Sequence, residues 1–208
     1  MVRKSRQWLK EHFSDHYVKK AKQSGYRSRA IFKLLEIQKR DHLFKPGMSI
    51  VDLGASPGGW SQYVIECVGK TGKVIAIDLL PMEPIAGVDF VQGDVSDETF
   101  LSALCDKLIT DRIDWVISDM APNISGNASV DIPRSLYLAE LALNFSLKIL
   151  NPKGGLLIKV FHGEGFQDLL QQMKHHFNTV VIRKPKASRN RSKEVYILVK
   201  DLKKHAGS

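Results

Sequence analysis

The stretch VDLGASPGGW, residues 51–60, carries the strongest local signal in this chain. It begins as an apolar strand that ends at Asp52, and three glycines, Gly54, Gly58 and Gly59, then lead into a helical pattern. Glycine lets the backbone pass close to a ligand at the carboxyl edge of a strand. The stretch therefore predicts a first strand, a ligand-binding turn and a helix.

On both sides of this stretch, short apolar runs alternate with helical patterns along the chain. The predicted strands are 48–54, 73–79, 88–94, 113–120, 155–161, 179–185 and 194–200, and the predicted helices are 7–24, 28–40, 58–68, 97–109, 131–150 and 163–177. This alternation predicts an α/β fold in which a mostly parallel sheet is covered by helices on both faces.

Length and composition favour a single soluble domain. The 208 residues, 43% of them hydrophobic, suffice for one α/β core. We expect a basic helical arm at 1–40 packed on one domain at 41–208. No run approaches the ~20 apolar residues of a membrane span, so we expect a cytoplasmic protein without a membrane partner. Nothing in the pattern indicates an obligate protein partner, and we expect a monomer.

The positive charge lies in two segments. Residues 1–33 hold ten Lys/Arg and two acids, and residues 183–193 hold six Lys/Arg and no acid, in a chain of net charge +9. Such segments suit a polyanion, although many charge runs are only solvated surface. Aromatic residues interleave the first segment and could stack on bases or pack onto the core: Trp8, Phe13, Tyr17, Tyr26 and Phe32.

The ligand of the glycine turn is indicated by the motifs that are missing. The spacing Gly-x-x-x-Gly-Gly differs from the dinucleotide fingerprint, and Gly69-Lys70-Thr71 lacks the first glycine of a P-loop, since position 64 is Val. Asp78, at the end of the second strand, could accept hydrogen bonds from ribose hydroxyls. A pocket containing Asp52, Asp78, Asp94 and Asp119 would suit a nucleoside with a positive sulfonium, which describes S-adenosylmethionine. Each carboxylate could instead be a turn former.

The chain resembles the FtsJ/RrmJ (RlmE) family of 23S ribosomal RNA 2′-O-ribose methyltransferases. The resemblance rests on the runs VDLGASPGGWSQYV, IDLLPM, GVDFVQGD, SDMAPNISG, VDIPRSLYLAELAL, KVFHGEGF and RKPKASRNRSKEVYIL. It implies a Rossmann-like S-adenosylmethionine-dependent methyltransferase fold, with a seven-stranded sheet whose last strand is antiparallel. The implied reaction is methylation of a uridine ribose in the A loop of 23S rRNA in the 50S subunit, as a step of ribosome maturation.

The same resemblance implies the site residues. The cofactor contacts would be Gly58, Trp60, Asp78, Asp94 and Asp119, and the catalytic set would be Lys33, Asp119, Lys159 and Glu194, with no metal.

The predicted topology supports that catalytic set independently. Asp119 closes the fourth strand, Lys159 lies near the end of the fifth, and Glu194 would start at the same edge if its strand is antiparallel. Lys33 requires the arm to fold across the pocket. Lys159 interrupts a strand that should be buried on both faces, where a lysine needs a partner or a function. It is the candidate base for the ribose hydroxyl.

Three alternatives remain open on the sequence. The chain could be an RNA-binding module without chemistry, a 2′-O-ribose methyltransferase acting on tRNA or another RNA such as an mRNA cap, or a nicotinamide-dependent oxidoreductase, which the glycine spacing disfavours.

Overall fold

The structure, a computed structural model, describes residues 16–109, 111–188 and 192–203. Trp8, Phe13, the first part of the predicted arm and the centre of the second basic segment lie outside the described residues. The helices are α1 (His16–Gln23), α2 (Ile31–Asp41), α3 (Gly59–Val68), α4 (Glu98–Leu108), α5 (Ala128–Ile149) and α6 (Phe166–His176). The strands are β1 (Ser49–Leu53), β2 (Lys73–Asp78), β3 (Val88–Gln92), β4 (Ile113–Ser118), β5 (Leu150–Phe161), β6 (Phe177–Arg183) and β7 (Glu194–Leu202).

Within the described residues the seven strands form one sheet in the order β3-β2-β1-β4-β5-β7-β6. The pairs from β3 to β5 are parallel, and β7 runs antiparallel to both β5 and β6. The strand order reverses between β1 and β4, and parallel α/β sheets bind ligands in the crevice outside the carboxyl ends of such strands. The predicted fold class is therefore confirmed, including the antiparallel last strand.

Side chains alternate between two apolar layers, one on each face of the sheet. Val51 and Leu53 face a cluster that contains residues of α4, α5 and α6. Ile50, immediately before Val51, faces the opposite cluster, which contains residues of α2 and α3. Successive strand residues point to opposite faces, so this division is what β1 requires when both of its faces are covered.

Several strand boundaries differ from the predicted ones, and strand pairing explains the starts of β5 and β6. β5 begins at Leu150 rather than at residue 155, because Leu150 pairs with Ile113 ahead of an irregularity in the register between β4 and β5. β6 spans Phe177–Arg183 rather than 179–185, since its pairing with β7 starts at Phe177 and Leu202.

None of the helices in the described part of the chain has the length and apolar character that a membrane crossing requires.

Candidate active site

The four predicted catalytic side chains meet at the carboxyl edge of the sheet. Asp119 directly follows β4, and Lys159 lies near the end of β5. Because β7 is antiparallel, its first residue, Glu194, pairs with Phe161 at the end of β5, and Tyr196 pairs with Lys159. Three strands thus bring acidic and basic groups to one place, as the topology predicts.

The four side chains form two ion pairs. Lys159 Nζ lies 3.0 Å from Asp119 Oδ1 and also donates a hydrogen bond to the backbone carbonyl of Asp119. Lys33 Nζ lies 2.8 Å from Glu194 Oε2. All four side chains are largely buried, with Lys159 only 6% exposed. Buried charges of this kind are tolerated only with partners, and each of these has one.

Tyr196 joins the cluster, and the sequence reasoning missed it. Its hydroxyl donates a 2.6 Å hydrogen bond to Asp119 Oδ1, and its ring is fully buried. Burial, followed by the negative charges of Asp119 and Glu194, raises the pKa of Tyr196 well above its ordinary value, so the phenol remains a donor. The available signal was its position two residues after Glu194, which places both side chains on one face of β7.

The electrostatics of Asp119 follow from these contacts. Burial by itself raises the pKa of this carboxyl, but the positive charges of Lys159 and Lys33 and the hydrogen bond from Tyr196 outweigh it. The pKa of Asp119 therefore lies below its ordinary value. The group is an anion at neutral pH and stabilises a positive charge on Lys159.

Lys33 reaches the cluster because α2 packs across the edge of the sheet. Trp60 Nε1 donates a 3.0 Å hydrogen bond to the carbonyl of Ala30, just before α2. The Trp60 ring packs on Tyr196 at a centroid distance of 5.8 Å, and Lys33 Nζ lies 5.8 Å from the centroid of Tyr196. The indole thus holds α2 and β7 together.

An acidic cavity of about 570 Å³ opens at the ends of β1, β2 and β4. Asp78, Asp94 and Asp119 line it, and within the described residues no lysine or arginine does. The carboxylate of Asp78 accepts hydrogen bonds from the backbone amides of Ser56 and Leu80, which fix its orientation. This lining suits ribose hydroxyls and a positive charge, whereas a pyrophosphate would be repelled, so S-adenosylmethionine fits the residues that are present.

Gly58, Trp60 and Asp52 do not line the acidic cavity. Asp52 is buried behind the glycine turn, where its carboxylate accepts a 2.6 Å hydrogen bond from Ser61 Oγ. Burial raises its pKa to about 7, against the lowering effect of Ser61. Our expectation that Asp52 lines the pocket is wrong, because alternation along β1 points its side chain to the face of the sheet covered by α3, where it contacts Ser61.

The glycines of the turn accommodate protein rather than open space. A Cβ on Gly54 would lie 2.5 Å from the Met120 side chain, and a Cβ on Gly58 would lie 2.9 Å from Met82 Sδ. Both residues also have positive φ angles, 75° and 104°. Three loops therefore pack closely around the acidic cavity, and only glycine fits at these two positions.

A second cavity, the lysine cavity, has a volume of about 260 Å³. Lys33, Lys159 and Glu194 line it together with Arg29. Ala121, in the loop after β4, lines both cavities, so the two ion pairs lie where the cavities approach each other. This arrangement can bring two different molecules to one buried cluster of proton donors and acceptors.

The second basic segment packs against α2, and some of its charged side chains bind acceptors of the protein itself. Arg183 makes two hydrogen bonds, 2.6 and 2.8 Å long, to the carboxylate of Asp41. Lys184 Nζ donates to the backbone carbonyls of Ser192 and Glu194. The side chains of Lys186 and Lys193 are exposed, and no described residue forms an ion pair with either. These two lysines therefore present charge to solvent beside the lysine cavity.

Comparison with known proteins gives two findings. A family model described as FtsJ-like methyltransferase matches residues 26–202. A crystal structure of a Plasmodium falciparum protein assigned as a ribosomal RNA methyltransferase is similar, with 31% sequence identity and a TM-score of 0.76. That match covers 85% of this chain and 98% of the other.

Proposed function

Since the chain belongs to the FtsJ-like methyltransferase family, we propose that it transfers a methyl group from S-adenosylmethionine to the ribose 2′-hydroxyl of a uridine in the A loop of 23S rRNA. The acceptor would be the 50S subunit, in the cytoplasm. The observation that carries the proposal is the position of two buried ion pairs between the acidic cavity and the lysine cavity. One chain supplies both cavities, which supports a monomeric enzyme.

The acidic cavity is the proposed site of the methyl donor. S-adenosylmethionine supplies, when bound, a methyl group on a positively charged sulfur. Asp78 and Asp94 would accept hydrogen bonds from its ribose hydroxyls, and Asp119 would face its positive charge. We retain Gly58 and Trp60 as proposed contacts. The backbone N–H of Gly58 already donates to the carbonyl of Ala55, so this residue would contact the donor by close packing. The N–H of Trp60 lies in the first turn of α3 and has no partner within the helix.

The lysine cavity is the proposed site of the acceptor ribose. A ribose hydroxyl is a weak nucleophile and must lose its proton as it attacks. We propose that Lys159, an ammonium in its ion pair with Asp119, first releases a proton to solvent, and that the neutral amine then accepts the proton of the hydroxyl. Asp119, 3.0 Å away, stabilises the ammonium that forms. Within the transfer step the charge on Lys159 develops as the hydroxyl loses its proton, and its stabilisation by Asp119 lowers the barrier of that step.

Lys33 and Glu194 complete the proposed catalytic set. The ammonium of Lys33 lies beside the hydroxyl site and stabilises the negative charge that develops on the attacking oxygen. Glu194 holds Lys33 in place through the 2.8 Å ion pair, and Ser188 Oγ in turn donates a 2.7 Å hydrogen bond to Glu194. These contacts fix both charges before the substrate arrives, so little reorganisation is needed during the reaction.

The positive charges in and beside the lysine cavity favour RNA as the acceptor. Arg29 and Lys33 line the lysine cavity, and Lys186 and Lys193 present charge beside it. Lysines that neutralise phosphates release counterions and bind a polyanion in a salt-dependent way. The Plasmodium falciparum protein assigned as a ribosomal RNA methyltransferase supports ribosomal RNA as the substrate class.

An acceptor panel tests this proposal. Purified protein is incubated with tritiated S-adenosylmethionine and, in parallel, with large subunits, free 23S rRNA or tRNA, all from cells that lack the protein. We expect label in the large subunits, and none with Lys159→Met. Label only in tRNA would establish the alternative substrate, and label in no RNA despite donor binding would refute RNA methylation.

A further inference from the structure

Arg27 lies in the turn between α1 and α2 and belongs by sequence to the first basic segment. Its side chain nevertheless binds the protein itself. Nη1 donates to the carbonyls of Glu83 and Pro57, at 2.5 and 3.3 Å, and Nη2 donates to the carbonyl of Pro84 at 2.8 Å. One guanidinium therefore joins the arm to two separate loops.

Both loops form walls of the acidic cavity. The glycine turn contributes Gly54 and Ser56, and the loop after β2 contributes Leu79 and Leu80. The Ser56 hydroxyl also donates a 3.3 Å hydrogen bond to the carbonyl of Pro81. A shift of the loop after β2 would therefore move the cavity wall next to Asp78.

The guanidinium geometry explains why arginine suits this position. Its planar fork carries five N–H donors and can satisfy several acceptors in different directions, whereas a lysine ammonium acts as a point charge. A hydrogen bond from a charged donor to a carbonyl group is stronger than one from a neutral donor. Arg27 thus holds the two loops against each other from outside the cavity.

The arm has a separate attachment near the same turn. Gln62 of α3 accepts a 3.3 Å hydrogen bond from the backbone N–H of Arg27 and donates a 3.0 Å hydrogen bond to the carbonyl of Gly25. Replacement of the Arg27 side chain leaves both of these contacts intact. Its main structural effect should therefore fall on the loop after β2 rather than on the arm.

We propose that Arg27 is a positioning residue for the methyl donor rather than an RNA contact. By binding the carbonyls of Pro57, Glu83 and Pro84, it holds the wall of the acidic cavity in the conformation that receives the donor. This inference rests on the proposed function, because it takes the acidic cavity as the donor site.

The test compares Arg27→Gln with Lys19→Gln, which also removes one positive charge from an exposed position in the same segment. For Arg27→Gln we expect the Kd and KM for S-adenosylmethionine to rise about tenfold, equivalent to ~1.4 kcal/mol. We expect kcat at saturating donor to stay within about twofold, and Arg27→Lys to restore only part of the affinity. Lys19→Gln should leave donor binding unchanged.

Hydrogen exchange of residues 79–87, measured without any ligand, gives a second readout. We expect faster exchange there in Arg27→Gln and wild-type exchange in Lys19→Gln. Unchanged donor affinity together with unchanged exchange would overturn the inference, as would a kcat that falls with KM unchanged. If the wild-type protein bound no S-adenosylmethionine, the proposed function would fail, and unchanged exchange in Arg27→Gln would separately overturn the positioning role.

Discussion

The ion pair between Lys33 and Glu194 should couple the arm to the sheet strongly enough to measure. We predict that a double-mutant cycle with Lys33→Met and Glu194→Gln gives a coupling free energy of about 2 kcal/mol or more in the free energy of unfolding. Each single change leaves one buried charge without its partner, whereas the double change removes both charges. The double variant should therefore be little less stable than either single variant.

The expected magnitude follows from distance and burial. The pair is 2.8 Å apart, and its side chains are 12% and 10% exposed. The gross attraction at that distance is ~6 kcal/mol for an effective dielectric constant of about 20, and loss of hydration offsets much of it. Removal of one partner from a buried pair costs ~3–5 kcal/mol, mostly because the other charge is left unpaired.

Lys73 and Asp111 form a matched control pair. Their charged atoms are 2.6 Å apart, closer than those of the buried pair, but their side chains are 42% and 28% exposed. Solvent screens such pairs, and measured couplings are ~0.2–1 kcal/mol. A cycle with Lys73→Met and Asp111→Asn should therefore give a smaller coupling despite the shorter distance.

Urea unfolding of the seven proteins in the two cycles, which share the wild type, measures these free energies when it is followed by circular dichroism. Equal coupling in the two cycles, or additive effects at Lys33 and Glu194, would refute the reasoning that burial makes this contact strong. Addition of 1 M salt provides a further check, because it should reduce the exposed coupling more than the buried one.

Three further predictions concern the site, the RNA surface and pH. Lys159→Met should lower kcat at least ~100-fold, because the proton acceptor is lost. The affinity for S-adenosylmethionine should change less than about threefold, because Lys159 does not line the acidic cavity. Lys186→Glu should weaken RNA binding and reduce the salt dependence of log K by about one, whereas Arg183→Glu should chiefly lower stability, because it faces Asp41. The pKa of Asp52 is raised to about 7, so the protonated carboxyl stabilises the wild-type fold at low pH, and this stabilisation is lost as pH rises through about 7. Asp52→Asn removes this titration. The variant should therefore become more stable relative to wild type as pH increases from 5 to 8.

Each of these predictions has a contrary outcome. Turnover near wild type in Lys159→Met would remove the lysine from the mechanism. Equal losses of RNA affinity in Lys186→Glu and Arg183→Glu, with equal stability, would show that Arg183 contacts RNA as Lys186 does, despite its ion pair with Asp41. The shift of the Asp52 pKa from 3.8 to about 7 corresponds to ~4 kcal/mol in total, of which ~3 kcal/mol falls between pH 5 and 8. A stability difference that stays constant between pH 5 and 8, measured by urea unfolding, would contradict it.

The sheet could be predicted from the sequence because each strand carries its own local signal. Apolar runs bounded by turn residues located β1 and β2 to within one residue at each end. The early start of β5 could not be predicted in this way, because Leu150 is a strand residue only through its pairing with Ile113, far away in sequence. Local patterns therefore indicate that a strand exists more reliably than where it begins.

The resemblance implied the proposed site residues, and topology accounts for the positions of three of them. Asp119, Lys159 and Glu194 follow from strand ends that share one edge of the sheet. The function of a charged residue in an apparently uniform basic segment was not predictable. Arg27 and Arg183 bind protein acceptors, while Lys186 remains exposed to solvent, and only tertiary contacts distinguish them.

In the proposed reaction the methyl group is placed on a ribose 2′-oxygen. The most direct measurement is alkaline hydrolysis of large-subunit RNA labelled by the purified protein with tritiated S-adenosylmethionine. A 2′-O-methyl group blocks cleavage of the adjacent phosphodiester bond, so we predict label in alkali-resistant dinucleotides. Label released only as mononucleotides would mean that a base is methylated, and would contradict 2′-O-methylation of the ribose.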